Sequence, residues 1–400
     1  MTDKPSDAPY TSSSTCYQTS HLRAFATLAE HETYQSLHSW SCTDLDAFWK
    51  LVWSYCDVIG NQIGDAYTPC SAMDKARFFQ HSTLNFAENI VRQTGTEPAL
   101  IFWNEACDKR SLSHDELRQH VSTFAQVLKS KGIVPGDRVV AYLPNIPETI
   151  IAMIATASIG AIWSSCSPDF GVGSVSDRFT QITPKILITT NAYTYAGRTH
   201  SILDRISDIL HAVPSITDVI IVPHRTHDTV SNADTSNPIP DDYLNYNDLS
   251  TLFPPKPLVF ERFPFNHPML IMYSSGTTGA PKCIVHSAGA TLLQHMKEHQ
   301  LQCDIKAGDV VFYYATCGWM MWNWLASACA SKATIVLFDG SPFHLTPGIL
   351  FDMAHETGIT HFGTSAKYLS ALQKENYTLD KPLTKLRMIM STGSPLAPYV

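Results

Sequence analysis

A chain of 400 residues holds enough material for two or three ordinary domains, or for one large two-lobed domain with an ample core. Its apolar fraction of 44% belongs to a folded globular protein, and its formal net charge of −8 leaves no basic footprint for nucleic acid or an anionic membrane. That excludes a nucleic-acid partner and favours a small-molecule function.

From Met1 to Pro9 there is no apolar run and there are two acids, which fits neither a secretory signal nor a basic transit peptide. The Ser-, Thr- and Pro-rich start reads as a flexible arm over residues 1–40. Thr43 or Asp44 then caps a helix whose Leu45, Phe48, Trp49, Val52, Trp53 and Cys56 recur at three- and four-residue spacing. A strand follows at Ala99–Trp103, and Ser113 with Glu116 has the form of a capping box for a helix to about Lys129. Arg138–Leu143 is a buried strand. The uncharged stretch Thr149–Trp163 falls short of the roughly 20 residues a bilayer span needs, so it reads as a helix buried on a sheet.

Further strands are expected at Lys185–Thr189, Val219–Val222, Val310–Tyr314, Ala333–Phe338, Thr360–Gly363 and Arg387–Met390. Helices near 174–183, 202–212, 321–331, 347–357 and 365–374 alternate with them. Residues 223–268, rich in Asp, Asn, Thr and Pro, read as a surface excursion between sub-lobes. The alternation implies βαβ units and parallel sheets, an α/β fold. Ten cysteines are dispersed singly without CxxC or zinc-ligand spacing, as small core residues in the reducing cytosol would be.

The chemistry concentrates at Ser274-Ser275-Gly276-Thr277-Thr278-Gly279-Ala280-Pro281-Lys282, after the strand Pro268–Tyr273 and ahead of a helix over Gly289–Gln300. Phosphates need converging N–H donors and a positive charge; glycines clear the approach, hydroxyls add donors and Lys282 supplies the charge. A Walker loop places its Lys directly after the last glycine, followed by Ser or Thr, whereas here Ala280 and Pro281 intervene and Cys283 follows. The spacing argues against a P-loop kinase or ATPase.

This run resembles the signature of the adenylate-forming superfamily, which includes acyl- and aryl-CoA synthetases and firefly luciferase. Phe48-Trp49, Leu84–Asn89, Gly136–Glu148 and Tyr313–Trp324 are similar to the acetoacetyl-CoA synthetase branch in particular. Acetate-using cousins carry Gly-His after the Trp-x-x. The resemblance implies stacked βαβ sub-lobes, with an N-terminal extension at 41–95 and an AMP-binding domain at 96–400. It implies an ATP-dependent acetoacetate–CoA ligase using ATP, Mg2+ and coenzyme A. Another short-chain acid (acetate, propionate, butyrate), or a non-catalytic nucleotide-binding fragment, is the alternative.

By the same resemblance, Ser274, Ser275, Gly276, Thr277, Thr278, Gly279 and Lys282 hold the β- and γ-phosphates. Gly393, Ser394 and Pro395 form the adenine-side loop, with Ser394 where relatives often carry Glu. Trp319, Met320 and Met321 belong to the acyl pocket, while Trp322 and Trp324 read as core. Arg198 meets the coenzyme A nucleotide phosphate or is a solvated surface arginine. His286 reads as structural; His295 and His299 lack the Glu of a zinc motif, and no metal ligand is assigned. The family's later motifs, its hinge and its small C-terminal domain with the adenylation lysine are expected beyond Val400, so the 400 residues alone are expected to be inactive.

Overall fold

The computed structural model describes residues 18–397, apart from 71, 73, 74, 225–238, 275–278 and 280. Two helices, α1 (His21–Leu28) and α2 (Tyr34–Thr43), occupy the stretch read as a loose arm. That reading fails from His21 onward for a tertiary reason. Phe25 meets Phe48 and Tyr55 edge-on, and the His21 backbone N–H donates to Asp304 at 2.8 Å. Helices of eight and ten residues draw their stability from such packing, which their own composition does not announce. Helix α3 (Leu45–Tyr55) is capped by Asp44, whose carboxylate accepts from the Ala47 N–H.

Two large sheets follow. The six-stranded sheet contains β1 (Pro98–Asn104), β2 (Lys109–Ser113), β10 (Val310–Tyr313), β11 (Thr334–Asp339), β12 (His361–Ser365) and β13 (Met388–Thr392). Its order is β13-β12-β10-β11-β1-β2, parallel except for the edge strand β2. The seven-stranded sheet is built from β3 (Arg138–Tyr142), β4 (Ile162–Cys166), β5 (Ile186–Thr190), β6 (Asp218–Val222), β7 (Leu244–Asn245), β8 (Pro268–Ser274) and β9 (Lys282–Ser287). Its order is β7-β6-β5-β3-β4-β8-β9, with only β9 antiparallel.

Between the sheets lie α4 (His114–Ser130) and α5 (Pro147–Ser158). The capping box at Ser113 and Glu116 is present. Every residue of α5 is buried, which explains its largely apolar text after Glu148. Strand alternation then distributes the core. Val139, Ala141 and Ile188 face α5 together with Leu100, Ile335 and Leu337 of the other sheet. Val140, Leu187 and Ile221 face outward onto α6 (Val172–Phe179) and α7 (Leu203–Ala212). On the six-stranded sheet, Phe312, Val336 and Phe362 face α10 (Ile349–Thr357) and α11 (Ala366–Lys374). The stacked α/β sub-lobes are therefore observed. The stretch read as a surface excursion is partly integrated: β7 joins the sheet, and Leu249, Phe263 and Phe265 are buried.

The sequence reading also misplaced one element at the phosphate loop. The loop does not pass from a strand to a helix. It joins antiparallel β8 and β9, with Ser274 opposite Lys282, and the helix α8 (Ala288–Lys297) begins only after β9. β-Branched Ile284 and Val285 keep Lys282–Ser287 extended, so the loop is a hairpin connection rather than a helix N-terminus. Helix α8 ends in a wide turn at Glu298–Gln302 and packs beside the short helix α9 (Met320–Ala326).

Candidate functional site

In parallel α/β sheets, ligands bind outside the carboxyl ends of the strands. Here the two sheets bring those ends together. Beyond β3, the Asn145 backbone N–H donates to Asp339 Oδ1 at 3.2 Å, and Asn145 Nδ2 donates to the Phe338 carbonyl at 3.1 Å. Trp322 Nε1 donates to Asn145 Oδ1 at 2.8 Å. Ser165, at the end of β4, donates to the Cys317 carbonyl at 2.7 Å, and Cys317 Sγ reaches the Leu143 carbonyl at 3.0 Å. Residues from both sub-lobes thus meet where these strand ends converge.

Of the phosphate loop, Ser274, Gly279 and Lys282 are described; Ser275, Gly276, Thr277 and Thr278 lie outside the described residues. Lys282 is exposed and makes no ion pair among the described residues. Gln181 Nε2 donates to the Pro281 carbonyl at 2.9 Å, tying the loop's end to the chain just past α6. His286 stands opposite Leu270 within the β8–β9 ladder, and burial holds its pKa down.

Gly393, with φ of 88°, turns the chain after β13. Ser394 and Pro395 line a surface pocket of about 390 Å³ with Lys367, Ser370 and Lys374 of α11. Trp319 and Met320 are exposed, Met321 is half-buried, and Trp322 and Trp324 are core, as their density suggested. A small cavity nearby, about 10 Å³ in volume, is lined instead by Gly318, Cys317 and Asn323 with Trp163, Ser165 and residues 270–273.

Arg198 is exposed on the hairpin Ala192–Tyr195/Arg198–Ser201. The sequence reading missed what positions it. Glu105, almost wholly buried, accepts from the backbone N–H groups of Ala196 (2.8 Å), Gly197 (2.6 Å) and Ser341 (2.6 Å). A carboxylate with three short N–H donors is well compensated for burial. Gly340, at positive φ, lets the chains come this close: a Cβ on it would sit 2.6 Å from the Glu105 carboxylate, while a Cβ on Gly197, also at positive φ, would lie 2.7 Å from the His344 ring. Beside it, burial pushes Asp339 up to about 7. No motif marked Glu105 or Asp339, because each acts through a contact distant in the chain; Asn145 lies in the Gly136–Glu148 segment, whose resemblance assigned it no role.

His295 and His299 are not a metal pair. His295 Nδ1 bonds Ser327 Oγ at 2.6 Å, and His299 Nε2 donates to the Trp324 carbonyl at 3.0 Å. Among the described residues no group of three His, Cys, Asp or Glu is placed to hold a metal. Cys56, Cys166, Cys317 and Cys329 are core residues as expected, whereas Cys42, Cys70 and Cys107 are exposed, and none of the described cysteines is paired. No helix among the described residues is long and apolar enough to cross a membrane.

A profile of the family described as "AMP-binding enzyme" matches residues 87–400. The chain belongs to the AMP-binding enzyme family. Within that family it is 48% identical over 367 residues to the acetoacetyl-coenzyme A synthetase of Rhizobium meliloti, covering 91% of this chain and 55% of the relative. It is 40% identical over 393 residues to a malonamoyl-CoA synthetase of Penicillium aethiopicum, covering 92% of this chain and 54% of that one. The solved acetoacetyl-CoA synthetase from Streptomyces lividans superposes with a TM-score of 0.88 at 38% identity, over 96% of this chain and 59% of that chain. The chain thus spans little more than half the length of the relatives it matches. Within the part spanned, an AMP-binding enzyme with two parallel sheets is what the sequence implied.

Proposed function

We propose that the protein serves an ATP-dependent acetoacetate–CoA ligase reaction. The observation that carries this reading is the fold and sequence shared with acetoacetyl-CoA synthetases over nearly the whole chain. In the first half, a carboxylate oxygen of acetoacetate attacks the α-phosphorus of ATP. The α–β P–O bond breaks and pyrophosphate leaves. No general base is needed, since a carboxylate of ordinary pKa is ionised at neutral pH. In the second half, the coenzyme A sulfur attacks the acyl carbon and AMP leaves, the thiol proton passing to solvent.

The protein's part in the first half is positioning and charge neutralisation. Ser274 to Gly279 and Lys282 are the residues for the β- and γ-phosphates; the antiparallel strands on either side and an exposed Lys282 ammonium without an ion pair among the described residues support that role. Gly393, Ser394 and Pro395 meet the adenine through backbone groups, since Ser394 offers no carboxylate. Trp319, Met320 and Met321 border the acyl group, and Arg198 meets a coenzyme A phosphate from a hairpin that Glu105 holds in place. Bound together with the triphosphate, magnesium would supply neutralisation of its charge. The described residues contain no cluster of three ligands for it, and no step is assigned to it.

The domain division of 41–95 as extension and 96–400 as AMP-binding domain belongs to this same proposal, as does a cytosolic setting, which the unpaired cysteines support. Carboxylate-dependent pyrophosphate release across acetate, acetoacetate and butyrate tests the substrate; equal rates with all three would sink the acetoacetate assignment. Lys282→Ala is expected to slow adenylation about 100-fold, the scale of losing one charge-stabilising donor. An unchanged rate would remove the loop from the mechanism.

A further inference from the structure

Strand β8 ends at Ser274 and β9 begins at Lys282, and these two residues are paired across the ladder. The neighbouring pair is Tyr273 with Cys283. Strand alternation puts the two pairs on opposite faces of the sheet. Tyr273 and Cys283 pack on the α6 side, among core residues that include Val175 and Phe179. Ser274 and Lys282 therefore present to the face that α6 does not cover.

The end of α6 grips this root of the hairpin from behind. On the β8 side, the Arg178 guanidinium lies over the rings of Tyr273 (5.6 Å) and Phe170 (5.1 Å), and the Tyr273 hydroxyl donates to the Arg178 carbonyl at 3.3 Å. On the β9 side, Gln181 Nε2 donates to the Pro281 carbonyl at 2.9 Å, and Gln181 Oε1 accepts from Cys283 Sγ at 3.5 Å. The same Nε2 donates to the Asp177 carbonyl at 2.6 Å, which ties the side chain back to its own helix. Pro281 precedes the ladder and has no N–H to give, so its carbonyl is the handle left for holding it. Residues 281 and 283 flank Lys282, and one glutamine thus holds the chain on both sides of the charge.

Gln181 is itself exposed, while Phe179 and Ile182 beside it already secure this turn to the core. Fixing an exposed glutamine in three bonds costs rotamer freedom without burial to offset it. The effect of those bonds falls on the neighbour they orient. We propose that Gln181 is a positioning residue for nucleotide phosphates: by holding Pro281 and Cys283 it aims Lys282 at the β- and γ-phosphates of ATP. AMP has neither phosphate and is indifferent to it. This rests on the proposed role of the loop.

The test is calorimetric titration of the full-length protein with magnesium-ATP and with AMP, for wild type, Gln181→Ala, Lys282→Ala and the double variant. Gln181→Ala is expected to weaken ATP about tenfold, the scale of one hydrogen bond, and to leave AMP within about twofold. Lys282→Ala is expected to weaken ATP at least as much. Adding Gln181→Ala to it should then change ATP by less than about twofold, because one residue acts through the other. Equal weakening of both nucleotides, no weakening of ATP, or a tenfold effect that persists without Lys282 overturns the assignment. If Lys282→Ala weakens ATP and Gln181→Ala does not, Gln181 has no positioning role and the proposed function stands. If Lys282→Ala leaves ATP unchanged, the role of the loop itself falls. Gln181→Glu keeps the acceptor for Cys283 and loses the donor for Pro281; it is expected to match Gln181→Ala and decides by the same readings should that variant fail to fold.

Discussion

Asp339 shows how one side chain can carry a pH signature. Its carboxyl is pushed up to about 7 by burial, against an ordinary value of 3.8, with Glu105 and Asp169 adding repulsion. The folded protein therefore favours the protonated form. The stability this contributes is whole below about pH 4 and is lost as pH rises through 7. Asp339→Asn keeps the oxygen that accepts from the Asn145 N–H and removes the titration. Its unfolding free energy relative to wild type should rise between pH 5 and pH 8, by roughly 1.4 kcal/mol per pH unit at most. Urea midpoints at the two pH values check this, and a pH-independent difference would contradict it. Gly363 makes a second point at this scale. A Cβ there would lie 2.1 Å from the Tyr313 ring, so Gly363→Ala must displace a buried aromatic. A loss of about 1–3 kcal/mol is expected in thermal unfolding.

At the scale of elements, α9 is latched by two histidines from α8 and its terminal turn. Ser327 Oγ donates to the Asn323 carbonyl at 2.8 Å while its lone pair meets His295 Nδ1, and His299 holds the Trp324 carbonyl. Burial lowers His295 to about 3 and lowers His299 as well. Because neutral imidazole is favoured in the fold, this stability is full above 6.5 and drains away as pH falls toward 3. Near-ultraviolet signals from Trp322 and Trp324 should therefore weaken below pH 6 before global unfolding; loss of both together would mean the latch has no separate existence.

Elements such as α5, β3 and β11 were legible because their burial is written as continuous apolar text, and α4 because its capping box is local. Helices α1 and α2 were not, since their order comes from Phe25 against Tyr55 and His21 against Asp304, contacts between remote segments. Strand β9 was missed because a Gly- and Ser-rich loop before a helix looks alike with or without a short strand between. In the site, the residue types of 274–282 announced phosphate chemistry. Glu105 passed as one acid among many, because accepting from three N–H groups remote in the chain is a property of packing.

For the whole molecule, the decisive feature is that α5 belongs to both sheets. Ile150, Ile151, Met153 and Ile154 pack in one cluster with Val139, Ala141 and Ile188 on one side and with Leu100, Ile335 and Leu337 on the other. The bidentate Arg110–Glu148 pair, at 2.6 and 2.8 Å, fastens the start of α5 to the edge strand β2. Neither sheet can leave this helix without exposing the face that the other also uses. The two sub-lobes should therefore unfold together rather than in sequence. Ile154→Ala opens a cavity in that shared layer and is expected to cost about 2–5 kcal/mol. If the core is shared, the substitution lowers the midpoint seen by tryptophan fluorescence and by far-ultraviolet circular dichroism by the same amount, and the two curves stay superimposed. A substitution that shifts one curve and not the other would mean that the sheets are energetically separate and that α5 stabilises only one of them.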